Sequence, residues 1–160
     1  MKKYTQEEFD QFPADECGYK QCPSGDYTLI KKFPECCSFG ECCSFGGRCS
    51  FGKGCSFGEC CSFGEWCSFG ERCSFGGRCK CEFGEFQAMY TAGGFGSEGR
   101  TTYFFYMADT SVCVRCGCFA GSIDEWEEKV NKTHGNSVLA KSYLLIGKAV
   151  RAICEKPEEE

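Results

Sequence analysis

Apolar and polar positions alternate through the middle of the chain with a strict period of six residues. The tetrapeptide Cys-Ser-Phe-Gly occurs seven times between Cys37 and Gly76, each copy starting six residues after the previous one. Six is a multiple of two and not of 3.6, so the Cys and the Phe of each unit share one side of an extended strand, whereas on a helix they would spread around the axis. The pattern therefore predicts short strands separated by glycine corners.

A short period repeated without gaps predicts a solenoid, in which each unit buries its apolar side only against the units stacked on it. Read from the aromatic residue, each unit is Phe, Gly, two variable residues, Cys and Ser. This order resembles the hexapeptide repeat of left-handed parallel β-helices. The resemblance implies a triangular coil of three hexads, with successive coils about 4.8 Å apart.

In that register the aromatic rings form three inward ladders, which are Phe33, Phe51 and Phe69; Phe39, Phe57 and Phe75; and Phe45 and Phe63. Eight cysteines spaced by six residues, from Cys37 to Cys79, follow the same rule and are predicted to pack as small hydrophobic residues. Phe is larger than the aliphatic residue usual in that family. A wider coil of four hexads is therefore the alternative.

The flanking segments lose the period. Thr5 and Glu8 have the spacing of a helix-capping box, and a cap is needed because an open solenoid end exposes bare strand edges. Ser122 and Ser137 are placed to begin two helices, the second with a buried stripe that includes Ile153. The predicted fold is a mainly β solenoid with four parts: a cap at 1–26, repeats at 27–99, a hairpin with two helices at 100–156, and an acidic tail at 157–160.

Charge and cysteine content limit the setting in which this chain works. The net charge is −5 and no basic stripe is present, so direct nucleic-acid binding is not expected. The first residues lack the apolar core of a signal peptide, and no apolar run approaches the ~20 residues of a membrane span. We therefore predict a cytoplasmic protein whose 18 cysteines are mostly reduced. A disulfide between Cys42 and Cys60, which the coil register makes neighbours, is the alternative to free thiols there.

Few residues offer catalytic or metal-binding chemistry. In the hexapeptide β-helix family that this repeat resembles, the acyltransferases use a catalytic His that projects from a coil. The only histidine in this sequence is His134, which lies outside the repeat. Cys113, Cys116 and Cys118 contain a Cys-x-x-Cys, which could be half a zinc site or a redox pair. On a strand, however, Cys113 points away from the other two. We predict no catalytic residue, no metal site and no cofactor.

The variable positions of the repeat are the candidate binding residues, because they alone face outward with different side chains. Arg48 and Trp66 occupy equivalent places, and an exposed Trp flanked by Arg is typical of protein-binding hot spots. The remaining candidates are the nearby charged residues Arg72, Arg78, Glu59, Glu65 and Glu71. The alternative is that all of these are solvated corners that keep the rod soluble.

The function predicted from these features is non-catalytic binding to another macromolecule. The chain also resembles short Cys-Ser-Phe-Gly repeat proteins of gut bacteria and their phages, including the stretches at 20–27 and 133–136. That resemblance implies a phage-type inhibitor of a host defence enzyme, such as a CRISPR nuclease, whose partner is a host protein or nucleoprotein complex and not a membrane. Homo-oligomerisation stays open. The alternatives are an acyltransferase-like enzyme or small-ligand binder with an intersubunit site, and a thiol store that buffers metal.

Overall fold

A computed structural model of the chain describes residues 1–94 and 100–155. The chain divides into two compact units, residues 1–85 and 86–160, and each is considered by itself. The first unit is a β-solenoid of stacked parallel strands. The second unit is an antiparallel sheet with two helices.

Solenoid strands of two or three residues form three parallel columns. Partners within a column are eighteen residues apart everywhere except at the first step, as in the pairs Phe33 with Phe51 and Ser44 with Ser62. The predicted coil of three hexads is therefore confirmed, and the alternative of four hexads is wrong. The columns are β1 (Lys20–Cys22), β3 (Cys37–Phe39), β6 (Ser56–Phe57) and β9 (Ser74–Phe75); β4 (Ser44–Phe45), β7 (Ser62–Phe63) and β10 (Cys79–Cys81); and β2 (Lys32–Phe33), β5 (Ser50–Phe51) and β8 (Ser68–Phe69).

The predicted aromatic ladders fill the centre of the coils. Phe33 stacks on Phe51 with ring centroids 4.8 Å apart, and rings of neighbouring ladders meet edge to face, the two arrangements that aromatic pairs prefer. Tyr27 continues the ladder above Phe45 at 5.6 Å, and Tyr4 stacks on Tyr27 at 5.1 Å. The ladders are confirmed, and the N-terminal segment extends one of them.

The glycine that follows each Phe allows successive coils to approach closely. A Cβ added to Gly64 would lie 2.4 Å from the backbone nitrogen of Gly47 in the preceding coil, where no side-chain atom fits. Core thiols use the carbonyls of these glycines: Cys43 and Cys61, on successive coils, both donate to the Gly40 oxygen, at 3.2 and 3.4 Å. Each buried Cys is thus a small packing residue whose S–H is also satisfied.

The solenoid begins earlier than the sequence predicted. Helix α1 (Gln6–Asp10) follows the predicted N-cap Thr5, whose hydroxyl accepts the Glu8 N–H at 3.2 Å. Strand β1 already pairs with β3 inside the segment assigned to the cap, with Cys22 opposite Phe39. This first step spans seventeen residues and not eighteen, and the one-residue shortening hid the strand from a search for the regular period.

The repeat also ends earlier than residue 99. Strand β11 (Gly84–Ala92) pairs antiparallel with β12 (Thr102–Met107), placing Met89 opposite Phe105, so the predicted extra turn of solenoid is wrong. Because six is even, Phe83 and Met89 would share one face of an ordinary strand as well, and their spacing could not distinguish the two structures. Residues 95–99, with Phe95, and the tail at 157–160 lie outside the described residues.

The second unit has a larger sheet than the predicted hairpin. Its strand order is β11, β12, β13 (Val112–Cys116) and β14 (Phe119–Ser122), all antiparallel. The strand expected to run to Cys118 ends at Cys116, because Gly117 turns the chain with φ near 58°. That turn starts β14, which the sequence reading missed.

Two helices pack on one face of this sheet, α2 (Ile123–His134) and α3 (Val138–Cys154), and they begin after the predicted caps Ser122 and Ser137. The Trp126 ring lies between Phe104, at 5.4 Å, and Tyr143, at 5.7 Å. Val130 and Val150 are also buried. Ile153 was predicted on the buried stripe of α3 but is 57% exposed, because the buried face there runs through Ala140, Tyr143, Gly147 and Val150.

Candidate functional site

The outward-facing corners of the solenoid share an unusual backbone conformation. The residue before each core Cys has a φ between 57° and 71°, in the left-handed region that favours glycine. In five of these residues, Cys36, Cys42, Arg48, Gly54 and Cys60, the backbone N–H donates to a carbonyl of the next coil, as in the 2.7 Å bond from the Arg48 N–H to the Glu65 carbonyl. Only one of these eight residues is glycine: they are Cys36, Cys42, Arg48, Gly54, Cys60, Trp66, Arg72 and Arg78.

The eighteen-residue register sorts these residues into three vertical corners, named here by their most distinctive member. The Trp66 corner contains Arg48 and Trp66. The other two are the Arg78 corner, with Cys42, Cys60 and Arg78, and the Arg72 corner, with Cys36, Gly54 and Arg72. The candidate binding residues therefore do not form one surface.

The structure brings together three of the seven candidates, Arg48, Glu65 and Trp66, at the Trp66 corner. It separates the other four, because the register assigns each to the column of its own hexad. Glu59 and Arg78 lie at the Arg78 corner, and Glu71 and Arg72 at the Arg72 corner. The sequence reading treated the seven as neighbours because it compared positions along the chain and not around the coil.

Two residues outside the Cys-Ser-Phe-Gly copies complete the Trp66 corner. The Glu82 carboxylate accepts a hydrogen bond from the backbone N–H of Trp66 at 2.8 Å. It takes the place that a backbone carbonyl of a further coil would occupy. The Lys31 ammonium donates to the Gly47 carbonyl at 3.0 Å and adds a second cation near Arg48. Sequence reasoning missed both residues, although both occupy positions where the repeat pattern is interrupted.

The Arg72 corner carries a shallow groove of about 390 Å³ where Gly54 lacks a side chain. Tyr19, Lys53 and Arg72 line this groove. Lys53 forms an ion pair with Glu35 at 3.8 Å. Both side chains are more than 60% exposed, so the pair adds little stability.

Cys42 and Cys60 lie one above the other at the Arg78 corner, and both are exposed free thiols. Partial desolvation, the Cys60 thiol and the Glu41 carboxylate raise the pKa of Cys42. A raised pKa keeps this thiol protonated near neutral pH and lowers its nucleophilic reactivity. All eighteen cysteines lie in the described residues, and each is a free thiol.

The second unit holds a cavity that the sequence did not predict. It measures about 150 Å³ and brings together Cys116, Cys118 and His134, which the sequence reading had considered separately. Cys116 is held by a hydrogen bond from the Thr102 hydroxyl to its sulfur at 3.1 Å. Cys113 pairs across from Phe105 on the opposite face of the strand, as predicted from its odd spacing.

Residues that sequence reasoning missed supply the charge of this cavity. Arg100 and Lys129 both line it, and neither belongs to a motif. Arg100 is positioned because Gly117 has no side chain: a Cβ there would lie 2.8 Å from the guanidinium. The spacing of Lys129 and Thr133, one turn apart on the same face of α2, was the only available signal, and it did not indicate which turn of the chain would cover that face.

Across residues 1–94 and 100–155, the structure contains no group of three or more His, Cys, Asp or Glu side chains arranged to hold a metal ion. Within the same residues, every helix is too short or too polar to span a membrane. Comparison of the chain with protein-family models, curated proteins and solved structures gave no match. Membership of the hexapeptide-repeat family therefore stays a prediction.

Proposed function

We propose that this protein is a non-catalytic binding protein that docks another macromolecule through the Trp66 corner. The observation that carries the proposal is the presence of large side chains at strained corner positions. A left-handed backbone raises the free energy of a residue with a Cβ by about 1–2 kcal/mol, whereas glycine adopts it freely. Gly54 occupies one of these corners, so glycine is compatible with the coil there.

A residue with a Cβ at these corners therefore carries a backbone cost that glycine would avoid. Residues held in sparsely populated backbone regions cluster at functional sites, where the surrounding structure maintains the strain. Arg48 is exposed and Trp66 is half-buried, so the first projects fully from the coil and the second in part. A binding role for both side chains explains why glycine is absent from this corner.

Chemistry and rigidity support the Trp66 corner over the other two. Trp and Arg are enriched among residues that dominate binding energy at interfaces. The Trp66 backbone is tied to Glu82 and that of Arg48 to the next coil, so little conformational entropy is lost when a partner docks. Glu65 beside the two cations, Lys31 and Arg48, favours a partner surface that carries both signs of charge.

The specific form that we propose is inhibition of a host defence enzyme, such as a CRISPR nuclease, by direct binding in the cytoplasm. This form rests on the resemblance to repeat proteins of gut bacteria and phages. The partner would be a host protein or a nucleoprotein complex. A chain with net charge −5 would approach the protein surface of such a complex more readily than its nucleic acid.

The test pairs two variants that leave the coil intact. Trp66→Gly combined with Arg48→Gly removes the proposed contact, and Arg78→Gly changes a different corner in the same way. Cells carrying a CRISPR nuclease would be challenged with phage, and the purified chain would be mixed with that nuclease on a sizing column. We expect the wild-type chain and Arg78→Gly to bind the nuclease and to let the phage infect these cells. The double variant should do neither. Equal activity of all three chains would contradict the Trp66 corner.

The acyltransferase-like alternative has less support. The solenoid contains no histidine, and His134 lies at the end of α2 in the second unit, so the coils offer no general base of the kind used by that family. A trimer in light scattering, together with an activity that His134→Ala abolishes, would favour that alternative over the binding protein.

A further inference from the structure

The Arg78 corner of the solenoid carries two exposed thiols on successive coils. Cys42 and Cys60 are eighteen residues apart, in a column where Ser44 pairs with Ser62. Among the described coils, neither of the other two corners places thiols on successive levels. The pair is therefore a property of this corner and not of the repeat.

The backbone holds both cysteines in the same conformation. Their φ angles are 59° and 62°. The Cys42 N–H donates to the Glu59 carbonyl at 2.8 Å, and the Cys60 N–H donates to the Gly77 carbonyl at 2.9 Å. Matching backbones on parallel coils direct their Cβ atoms the same way, and the coil spacing of ~4.8 Å lies within the Cα separations that disulfides span.

The two side chains are also neighbours. Partial desolvation raises the pKa of Cys42, and so do the charge of Cys60, the Glu41 carboxylate and a hydrogen bond with the Cys60 thiol. A hydrogen bond between thiols requires that the two sulfur atoms lie close together. Rotation about the Cα–Cβ bonds can then bring the sulfurs to bonding distance without moving the backbone.

The backbone cost of this corner also favours a role for the pair. A left-handed backbone raises the free energy of any residue with a Cβ, and Gly54 shows that glycine fits a corner of this coil. Cys at both levels of the Arg78 corner carries that cost twice. A bond between the two sulfurs is a reaction that one cysteine alone could not provide.

We propose that Cys42 and Cys60 form a reversible disulfide when the chain meets a peroxide, joining two successive coils of the solenoid. Hydrogen peroxide transfers one oxygen atom to the first thiol, which becomes a sulfenic acid, and one water is released. The second thiol attacks that sulfur, the S–S bond forms, and the oxygen leaves as a second water. The two thiols lose two electrons in total, and the peroxide gains them.

Exposure makes this disulfide reversible. A small thiol in solution can reach either sulfur at the open corner and reduce the bond by exchange. While it is present, the bond closes the loop between residues 42 and 60 and restricts the unfolded chain. The site lies at a different corner from Trp66 and does not depend on the proposed binding function.

The experiment treats the reduced full chain with hydrogen peroxide, blocks the remaining thiols with N-ethylmaleimide and digests the unfolded product with trypsin. Arg48 and Lys53 lie between the two cysteines, so the bridge joins two tryptic peptides, and mass spectrometry identifies the linked residues. We expect one bridge, between Cys42 and Cys60 of the same chain, which dithiothreitol removes. Peroxide treatment of the chain in urea should instead give a mixture of pairings.

Matched variants separate this bridge from general oxidation. Cys60→Ser removes one partner, whereas Cys17→Ser removes an exposed thiol elsewhere in the same unit, and neither change threatens the fold. Peroxide should raise the urea midpoint of wild type and of Cys17→Ser and leave that of Cys60→Ser unchanged. The proposal is overturned if peroxide forms no bridge in the folded chain, if the bridge joins two chains or other cysteines, or if the midpoint of Cys60→Ser rises as much as that of wild type.

Discussion

The two units of this chain place their functional residues by opposite routes. In the solenoid every coil repeats the same packing, with Phe51 lying above Phe69 as Phe33 lies above Phe51, so residues differ from one another only at the corners. In the second unit no residue has an equivalent, and the cavity collects side chains from β13, α2 and α3. A repeated sequence makes the fold easy to predict and limits the candidate functional residues to the positions that vary. In an irregular sequence neither the fold nor the functional residues can be read from a pattern.

The comparison extends to polar groups in the two cores. Solenoid thiols form continuous columns in which each S–H lies near a carbonyl and near the thiol of the next coil. In the second unit Arg115 is a buried charge, with its guanidinium 4.6 Å from the Tyr103 ring centroid. A column of like groups couples its members, so conditions that ionise one thiol affect the whole stack.

The largest expected effect is therefore loss of solenoid stability in alkali. A hydrogen bond with the Cys22 thiol raises the pKa of Cys37 to about 12, and hydrogen bonds with Cys37 and Cys43 raise those of Cys55 and Cys61 to about 11 and 12. Below the unfolded value of about 8.5 these thiols are protonated in both states and their contribution is fully present. Above it the unfolded chain ionises first, and each thiol reduces the free energy of unfolding by about 1.4 kcal/mol per pH unit until the folded pKa is reached.

Two thiols act in the opposite direction: a hydrogen bond with Cys61 lowers the pKa of Cys43, and Cys49 is the second. A hydrogen bond with Cys67 lowers the pKa of Cys49 to about 7, so Cys49 adds stability as pH rises from about 7 to 8.5. Urea unfolding followed by near-ultraviolet circular dichroism should thus show a maximum near pH 8 to 9 and a steep fall above it. A midpoint that is the same at pH 8 and pH 10.5 would show that the columns do not couple in this way.

The next largest effect is expected from breaking one aromatic ladder. Phe51 is 3% exposed and stacks on Phe33 at 4.8 Å and on Phe69 at 5.2 Å. Phe51→Ala leaves a cavity that rigid coils cannot close, and we expect a loss of about 3–5 kcal/mol in the free energy of unfolding. Ser50→Ala, on the exposed side of the same strand, should change it by less than about 0.5 kcal/mol. Similar results for both would mean that the coils repack.

Two solenoid glycines, Gly64 and Gly77, test the close packing of successive coils directly. Gly64→Ala places a Cβ 2.4 Å from the Gly47 nitrogen, which would force the coils apart, and we expect a loss of about 1–3 kcal/mol. Gly77→Ala meets nothing within 4 Å and should be neutral or slightly stabilising. Thermal unfolding of the two variants measures the difference. Equal melting temperatures would contradict the close approach of backbones.

Most of the solenoid could be predicted from the sequence because an even period allows only strands and because identical hexads must stack in one register. The ladders of Phe33, Phe39 and Phe45 follow directly from that register. Its two ends could not be predicted. Strand β1 is offset by one residue, and the spacing of Met89 fits an ordinary strand as well as a coil.

The candidate site could be predicted only in part. Equivalence of Arg48 and Trp66 followed from the period, but the left-handed corners did not, because a repeat pattern contains no information on φ for a variable position. The cavity of the second unit was not predictable. Its lining depends on where Gly117 turns the chain and on how α2 and α3 pack, and both follow from tertiary contacts rather than from local pattern.

The smallest effect has the most informative sign. Arg48 has a φ of 58° and Lys53 an ordinary one, and both are exposed positions next to a corner. Arg48→Gly relieves the left-handed strain, and we expect a gain of about 0.5–1 kcal/mol after the entropy of the added glycine is subtracted. Lys53→Gly relieves nothing and should reduce stability by a similar amount. If Arg48→Gly lowers the urea midpoint as Lys53→Gly does, Arg48 stabilises the coil through its own contacts. The argument that its side chain is kept for a partner would then fail.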